Sequence, residues 1–196
     1  MSDCIEMINC SFSYGDNPIF ANMSLKIPTK KITYLQGASG IGKTTLLKLV
    51  SGKLQVTSGK IIRPVQHFSF CYQDITLIPY LSASQNIQYV MSRYYKPDVQ
   101  IAKTTELLKR LDLLEYASYL PNQLSGGMQR RIAFLRALAV PADFLILDEI
   151  FDSLDENTAK EVATILFEEV RKRKIGALCA THTIVLENEL TECLCI

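Results

Sequence analysis

Gly37-Ala38-Ser39-Gly40-Ile41-Gly42-Lys43-Thr44 is the stretch on which the fold turns. It fits the P-loop pattern, with the first glycine, last glycine, lysine and threonine all in place. Three glycines let the backbone curl and point N–H groups inward at phosphate oxygens. Lys31 to Gln36 reads as a strand ending at Gly37, and Lys43 to Val50 reads as a helix that Ser51-Gly52 stops. A strand, a glycine loop and a helix in that order aim the positive helix end at an anion. Lys43 is then expected to reach the β- and γ-phosphates of a nucleotide, and Thr44 to offer its hydroxyl to Mg²⁺.

Upstream, Ile5 to Phe12 and Phe20 to Ile27 read as strands separated by the turn Tyr14-Gly15-Asp16-Asn17-Pro18. Lys60-Ile61-Ile62 and His67 to Tyr72 continue the strand character past Pro64. From Pro79 to Leu120 the pattern turns helical, with Ile101, Leu107, Leu108, Leu111 and Leu114 at helical spacing between Pro97 and Pro121. Gly126 to Ala139 predicts a helix, Asp143 to Leu147 a buried strand, Glu156 to Arg173 a helix and Gly176 to Thr181 an apolar strand. Apolar strands alternating with helices predict an α/β fold with a mainly parallel sheet, into which the helical stretch between Gln73 and Leu124 is inserted.

The chain has 196 residues, 48% hydrophobic and 21% charged, which fits one domain with a sizeable core. A net charge of +1 gives no global field favouring nucleic acid or an anionic membrane. No apolar run approaches the roughly 18–20 residues that span a bilayer; Phe144-Leu145-Ile146-Leu147 has the length of a strand. Met1-Ser2-Asp3-Cys4 lacks the basic-then-apolar pattern of a secretory signal. Any service to a membrane is therefore expected to run through a separate docked protein. The six cysteines form no CxxC pair, and only His67 and His182 could join them as ligands, so reduced thiols in a cytosolic core are expected.

Two further segments carry chemistry. Phe144-Leu145-Ile146-Leu147-Asp148-Glu149 is an apolar strand ending in two carboxylates: Asp148 suits the Mg²⁺ site, and Glu149 suits a general base for an attacking water. Leu124-Ser125-Gly126-Gly127-Met128-Gln129 opens a helix with a hydroxyl and two glycines that permit close backbone approach. With the helix dipole behind it, this is a second anion site. It also suits an ordinary helix N-cap. The helical insertion separates it from the P-loop, so one chain does not easily fold both onto one phosphate.

Together these segments, from Tyr14 to His182, resemble the ATP-binding cassette (ABC) ATPases. The resemblance implies a P-loop NTPase with a mainly parallel core sheet, an N-terminal antiparallel β subdomain and an inserted α-helical subdomain. It implies a single domain, 1–196, with 1–78 and 125–196 as core plus β subdomain and 79–124 as helical subdomain. ATP would be bound by Tyr14, stacking on adenine, and by Gly37, Ala38, Ser39, Gly40, Ile41, Gly42, Lys43, Thr44 and Thr45. Mg²⁺ would be held by Thr44, Gln73 and Asp148. Lys43, Gln73, Glu149 and His182 would act in hydrolysis, Gln73 as the Q-loop glutamine and His182 as the switch histidine on the γ-phosphate. Ser125, Gly126, Gly127 and Asp155, the last in Ser153-Leu154-Asp155, would act in trans on the ATP of a second domain.

The implied function is the ATP-hydrolysing subunit of an ABC transporter, dimerising head to tail and driving a separate transmembrane permease. It would be cytoplasmic, peripheral at the inner face of the cell membrane, bind no nucleic acid and insert directly into no membrane. Leu77-Ile78-Pro79 also fits the family, and the surface from Gln73 to Tyr80 is the expected docking region. The alternative is a soluble cassette ATPase acting as a conformational switch in a cytosolic assembly. A GTPase is disfavoured because no Asn-Lys-x-Asp motif occurs, and a kinase has no use for Ser125-Gly126-Gly127. Three positions depart from the family pattern: Ile150 for proline, Thr183 for aspartate and Lys30-Lys31 for Gly-Glu. Glu192 to Ile196 can supply one short final strand, which argues against a regulatory domain.

Overall fold

The computed structural model describes residues 3–152, 154–182 and 184–196. In chain order the elements are β1 (Cys4–Tyr14), β2 (Asn17–Pro28), β3 (Ile32–Gln36), α1 (Lys43–Val50), β4 (Ser58–Ile62), β5 (Phe68–Cys71), α2 (Ala83–Met91), α3 (Pro97–Lys109), α4 (Gly126–Ala139), β6 (Phe144–Asp148), α5 (Glu156–Arg173), β7 (Gly176–Ala180) and β8 (Thr191–Cys195). The strands fall into two sheets. One is antiparallel, ordered β2-β1-β4; the other is parallel, ordered β5-β6-β7-β3-β8.

The apolar patterns explain this division. β3, β6 and β7 are buried along nearly their whole lengths, so each packs on both faces, as central parallel strands must. Leu35, Ile146 and Leu178 join α1 and the antiparallel sheet in one core, where they meet Ile5, Met7, Phe20 and Leu46. Ile32, Tyr34, Leu145, Leu147 and Cys179 face the opposite way, into a core shared with α2, α4 and α5. The sheet is thus covered on one side by α1 and the antiparallel sheet, and on the other by the remaining helices. β8 pairs parallel with β3 at the sheet edge, where the short final strand was expected.

The helical stretch expected over Pro79 to Leu120 contains α2 and α3. Ser82 caps α2 reciprocally: its hydroxyl accepts from Gln85 N at 3.3 Å, and Gln85 Oε1 accepts from Ser82 N at 2.9 Å. α3 begins at Pro97, where a missing N–H costs nothing. Asn86 is fully buried and fastens the preceding loop, accepting from Ile78 N at 2.7 Å and donating to Leu81 O at 2.9 Å. Arg110 ties α3 to α5 with one guanidinium nitrogen on Glu168 and another on Glu169, each at 2.7 Å. No helix of the described residues is long and apolar enough to cross a membrane. Among the described residues no disulfide joins the six cysteines; burial pushes the Cys71 thiol up to about 12, which keeps it protonated.

Candidate nucleotide site

β3 ends at Gln36 and hands the chain to the glycine loop, which α1 leaves at Lys43. Gly42 stands at the N-cap of α1 with φ 114°, a region that L side chains rarely adopt. It has no side chain to cap the helix, and no acidic residue occupies the first turn. The N–H groups and positive end of α1 are therefore left for an anion. A Cβ at Gly42 would lie 2.8 Å from Ile19 Cγ2 and 2.9 Å from Phe20 Cζ, so β2 packs directly against the loop. Lys43 is buried, and its ammonium donates to Gly37 O at 2.9 Å and Ala38 O at 3.3 Å, across the loop it follows.

α1 and β6 meet at the next residue. Thr44 Oγ1 donates to Asp148 Oδ2 at 2.8 Å. Asp148 is 4% exposed, and its other oxygen, Oδ1, has no hydrogen-bond partner among the described residues. Burial raises the Asp148 pKa, opposed by the Thr44 hydrogen bond. A buried carboxylate oxygen with no partner beside a threonine hydroxyl is a hard-oxygen donor set of the kind Mg²⁺ takes. The residues present fit that ion.

Glu149 follows with φ 52°, the left-handed region, which strains a residue bearing a Cβ. Its N–H donates to Ala180 O at 2.9 Å, its carbonyl accepts from Arg130 Nη1 at 2.9 Å and from Asp152 N at 3.3 Å, and its carboxylate lies 3.5 Å from His182 Nε2. Asp152 brings a second carboxylate within 4.8 Å of both Glu149 and His182.

A cleft of about 280 Å³ is lined by Ser39, Gly40, Gly42, Lys43, Thr44, Thr45, Gln73 and Glu149. The structure thus brings most of the phosphate loop, Gln73 and Glu149 together, with Asp148 and His182 attached through Thr44 and Glu149. Tyr14, Ser125, Gly126, Gly127 and Asp155 lie outside that lining. Tyr14 is half-exposed at the β1–β2 turn, edge-on to Phe12 with ring centroids 4.9 Å apart. Ser125 caps α4, its hydroxyl accepting from Met128 N at 3.2 Å. Asp155 caps α5, accepting from Thr158 N at 3.0 Å and from Thr158 Oγ1 at 2.6 Å. Ser153 and Thr183 lie outside the described residues.

Three partners of the site escaped the sequence: Arg130 on the Glu149 carbonyl, Asp152 beside His182, and Ile19-Phe20 against Gly42. Arg136 is a fourth, holding the segment after Gln73 by donating to Thr76 O at 2.7 Å and Thr76 Oγ1 at 2.9 Å. Only Asp152 had a local signal, being a third acidic residue four positions after Asp148.

Comparison with known proteins places the chain among relatives. The family model described as ABC transporter matches residues 20–152. The chain is similar to the ABC transporter ATP-binding protein YtrE of Bacillus subtilis, with 31% identity over 91% of this chain and 87% of that protein. It is also similar to the sulfate/thiosulfate import ATP-binding protein CysA of Neisseria meningitidis, with 35% identity over 93% of this chain. There it spans only 55% of the relative's length. Among solved structures, the dimeric structure of a bacterial ABC transporter cassette superposes with a TM-score of 0.81 at 25% identity, covering 91% of this chain and 88% of that one.

Proposed function

The chain belongs to the ABC transporter family and is an ATP-binding ATPase, and from that premise we propose that it works as one half of a head-to-tail pair that drives a separate transmembrane permease. The observation that carries this reading is the separation of the two anion-binding helix ends. The cleft is walled by the phosphate loop, Gln73 and Glu149, while Ser125 and Gly126 are exposed outside it. A Cβ on Gly126 would meet nothing within 4 Å among the described residues, so none of them asks for glycine there. Close approach by a second copy, or by a paired ATPase domain, gives that glycine a reason. The protein acts from the cytoplasmic side as a peripheral subunit, a single domain with 79–124 as its helical part, and the segment from Gln73 to Tyr80 meets the permease. Tyr80, 79% exposed, is the most prominent apolar ring there. The dimeric bacterial cassette and the import proteins among its relatives support both partnerships.

The chemistry follows from the residues in place. The N–H groups of the loop and of the first turn of α1 receive the β- and γ-phosphate oxygens. Lys43 exchanges its bonds to Gly37 O and Ala38 O for those oxygens and offsets their charge. Thr44, Asp148 and Gln73 would hold Mg²⁺, which would neutralise charge on the phosphate oxygens. Glu149 accepts the proton of a water whose oxygen attacks the γ-phosphorus. The bond from that phosphorus to the β–γ bridging oxygen breaks, and ADP departs with the electron pair. His182, 3.5 Å from Glu149, donates to the γ-phosphate. Ser125 and the N-terminus of α4 approach the γ-phosphate bound by the other copy.

Glu149→Gln tests this reading. With ATP the variant is expected to hydrolyse slowly and to run as a dimer in size-exclusion chromatography with light scattering. A variant that stays monomeric with ATP bound would sink the pairing, and normal turnover would sink Glu149 as base. Co-purification tests the permease: recovery with a transmembrane protein supports it, whereas recovery only in a soluble complex replaces it with the conformational switch.

A further inference from the structure

Beside the Thr44–Asp148 pair, the edge strand β5 and the residue just past its end carry two rings that nothing in the ATPase chemistry accounts for. Phe70 and Tyr72 are stacked, with centroids 5.7 Å apart and planes 8° from parallel. Lys53, in the loop that follows α1, lays its ammonium over both: 3.5 Å from the Phe70 centroid and 4.5 Å from that of Tyr72. Lys53 N also donates to Lys48 O at 2.9 Å, so the loop bearing this lysine is fastened to the helix that begins at the phosphate loop. Partial burial and the neighbouring Lys48 charge lower its pKa, as an ammonium tucked against rings should show.

Two facts tie this stack to the reaction. Tyr72 immediately precedes Gln73, which lines the nucleotide cleft. Lys53, Phe70 and Tyr72 line one small cavity together with Leu47, Ile146, Thr44 and Asp148. The stack is therefore the side wall of the metal pair and the last fixed point before the chain delivers Gln73. Apart from it, β5 pairs only with β6 among the described residues, and no described strand restrains this edge from outside.

We propose that Lys53, clamped over Phe70 and Tyr72, is a positioning residue for Mg²⁺-dependent hydrolysis: it holds Tyr72 so that Gln73 faces the cleft, and it closes the lateral approach of water to Thr44 and Asp148. The proposal rests on the assignment of Gln73, Thr44 and Asp148 to Mg²⁺ given above. The attraction of one ammonium for two partly exposed rings is modest, so the expected effect is a tuning of metal use.

The test measures ATPase rate against Mg²⁺ concentration at saturating ATP, together with affinity for Mg²⁺-free ADP and the Tm. Lys53→Ala is expected to raise the Mg²⁺ half-saturation about two- to fivefold, with Mg²⁺-free ADP affinity unchanged and the Tm lowered by no more than a few degrees. Lys53→Arg, which can stack on the same rings, restores it. The double variant Lys53→Ala, Tyr72→Ala matches Tyr72→Ala alone, because the two act as one unit. An unshifted Mg²⁺ dependence in Lys53→Ala, an equal loss of Mg²⁺-free ADP affinity, a Tm drop larger than a few degrees or strictly additive effects would each overturn the proposal. Gln73→Ala separates the two readings. If it shifts the Mg²⁺ dependence while Lys53→Ala does not, the positioning role fails alone. If it leaves the dependence unshifted, the assignment of Gln73 fails and the delivery of Gln73 by Lys53 fails with it.

Discussion

Arg130 Nη1 donates to the carbonyl oxygen of Glu149 across 2.9 Å, joining the helix that Ser125 caps to the residue just past the end of β6. The bond matters because Glu149 holds φ 52°, which a non-glycine residue adopts only when its surroundings enforce it. Removing the donor leaves the carbonyl with only the longer bond from Asp152 N at 3.3 Å, and the strained backbone held mainly through the Glu149 N–H. Arg130→Met is therefore expected to lower kcat about tenfold, a loss of the size of one charged hydrogen bond, while KM for ATP changes little. Steady-state kinetics check this; a KM effect with kcat preserved would place Arg130 in ATP binding instead.

Asp148 sets function against stability. Burial raises its pKa in the folded chain, so folding disfavours the charged form. The sign follows: its contribution to stability is fully present below the unfolded aspartate pKa and is lost as pH rises through the folded value. Asp148→Asn keeps an acceptor for Thr44 and removes the buried charge. Without nucleotide and metal, the variant is expected to melt a few degrees higher than the parent at pH 7, at about 2–4 °C per kcal/mol for a chain of this size. That advantage shrinks as pH falls toward the ordinary aspartate range. Its Mg²⁺-dependent ATPase activity is expected to be abolished. Calorimetry across pH with a parallel rate assay reads both.

Gly126 offers the same contrast at the other helix end. Alanine there meets nothing within 4 Å among the described residues and favours helix by up to about 1 kcal/mol. Gly126→Ala is expected to raise the Tm slightly, to leave ATP binding by the monomer intact and to weaken ATP-driven dimerisation. Ser125→Ala differs, because the Ser125 hydroxyl already accepts from Met128 N. Loss of that cap costs about 1 kcal/mol of stability in addition to any loss in trans. Light scattering with ATP separates the two; unchanged dimerisation in Gly126→Ala would remove the close approach argued for that glycine.

The helices that carry the site were legible because their ends are written locally. Lys43–Val50, Gly126–Ala139 and Glu156–Arg173 begin and stop where the glycine loop, Ser125, Asp155 and the following breaks imply. Strand ends were less sharp. β1 and β2 run further than Ile5–Phe12 and Phe20–Ile27, because a hairpin extends its ladder to the turn at Tyr14–Asn17 whatever the side chains. The helical stretch divides because Pro97 starts a new helix and Asp112 takes φ 51°, beyond which only short 3-10 turns follow. Arg130 with Glu149, Lys53 with Phe70 and Tyr72, and Ile19-Phe20 with Gly42 were illegible for a different reason. Each joins residues on separate elements, and no local period records which side chain lies across a fold.

Gly42 gives the sharpest test of how tightly the phosphate loop is built. Its φ of 114° penalises any side chain, and a Cβ would lie 2.8 Å from Ile19 Cγ2 and 2.9 Å from Phe20 Cζ. Backbone strain alone costs about 1–3 kcal/mol, and either β2 or the loop must move to relieve the contacts. Gly42→Ala is therefore expected to lower the Tm by several degrees and to weaken ATP binding, because the displaced loop aims its N–H groups elsewhere. Ile19→Ala introduced with it frees one of the two contacts, so the pair is expected to be less destabilised than the sum of the single variants, by about 0.5–1 kcal/mol or more in a double-mutant cycle. The strain at φ 114° and the Phe20 contact persist, so recovery is incomplete. Strict additivity would mean that Ile19 does not press on the loop and that the cost of alanine is the backbone's alone.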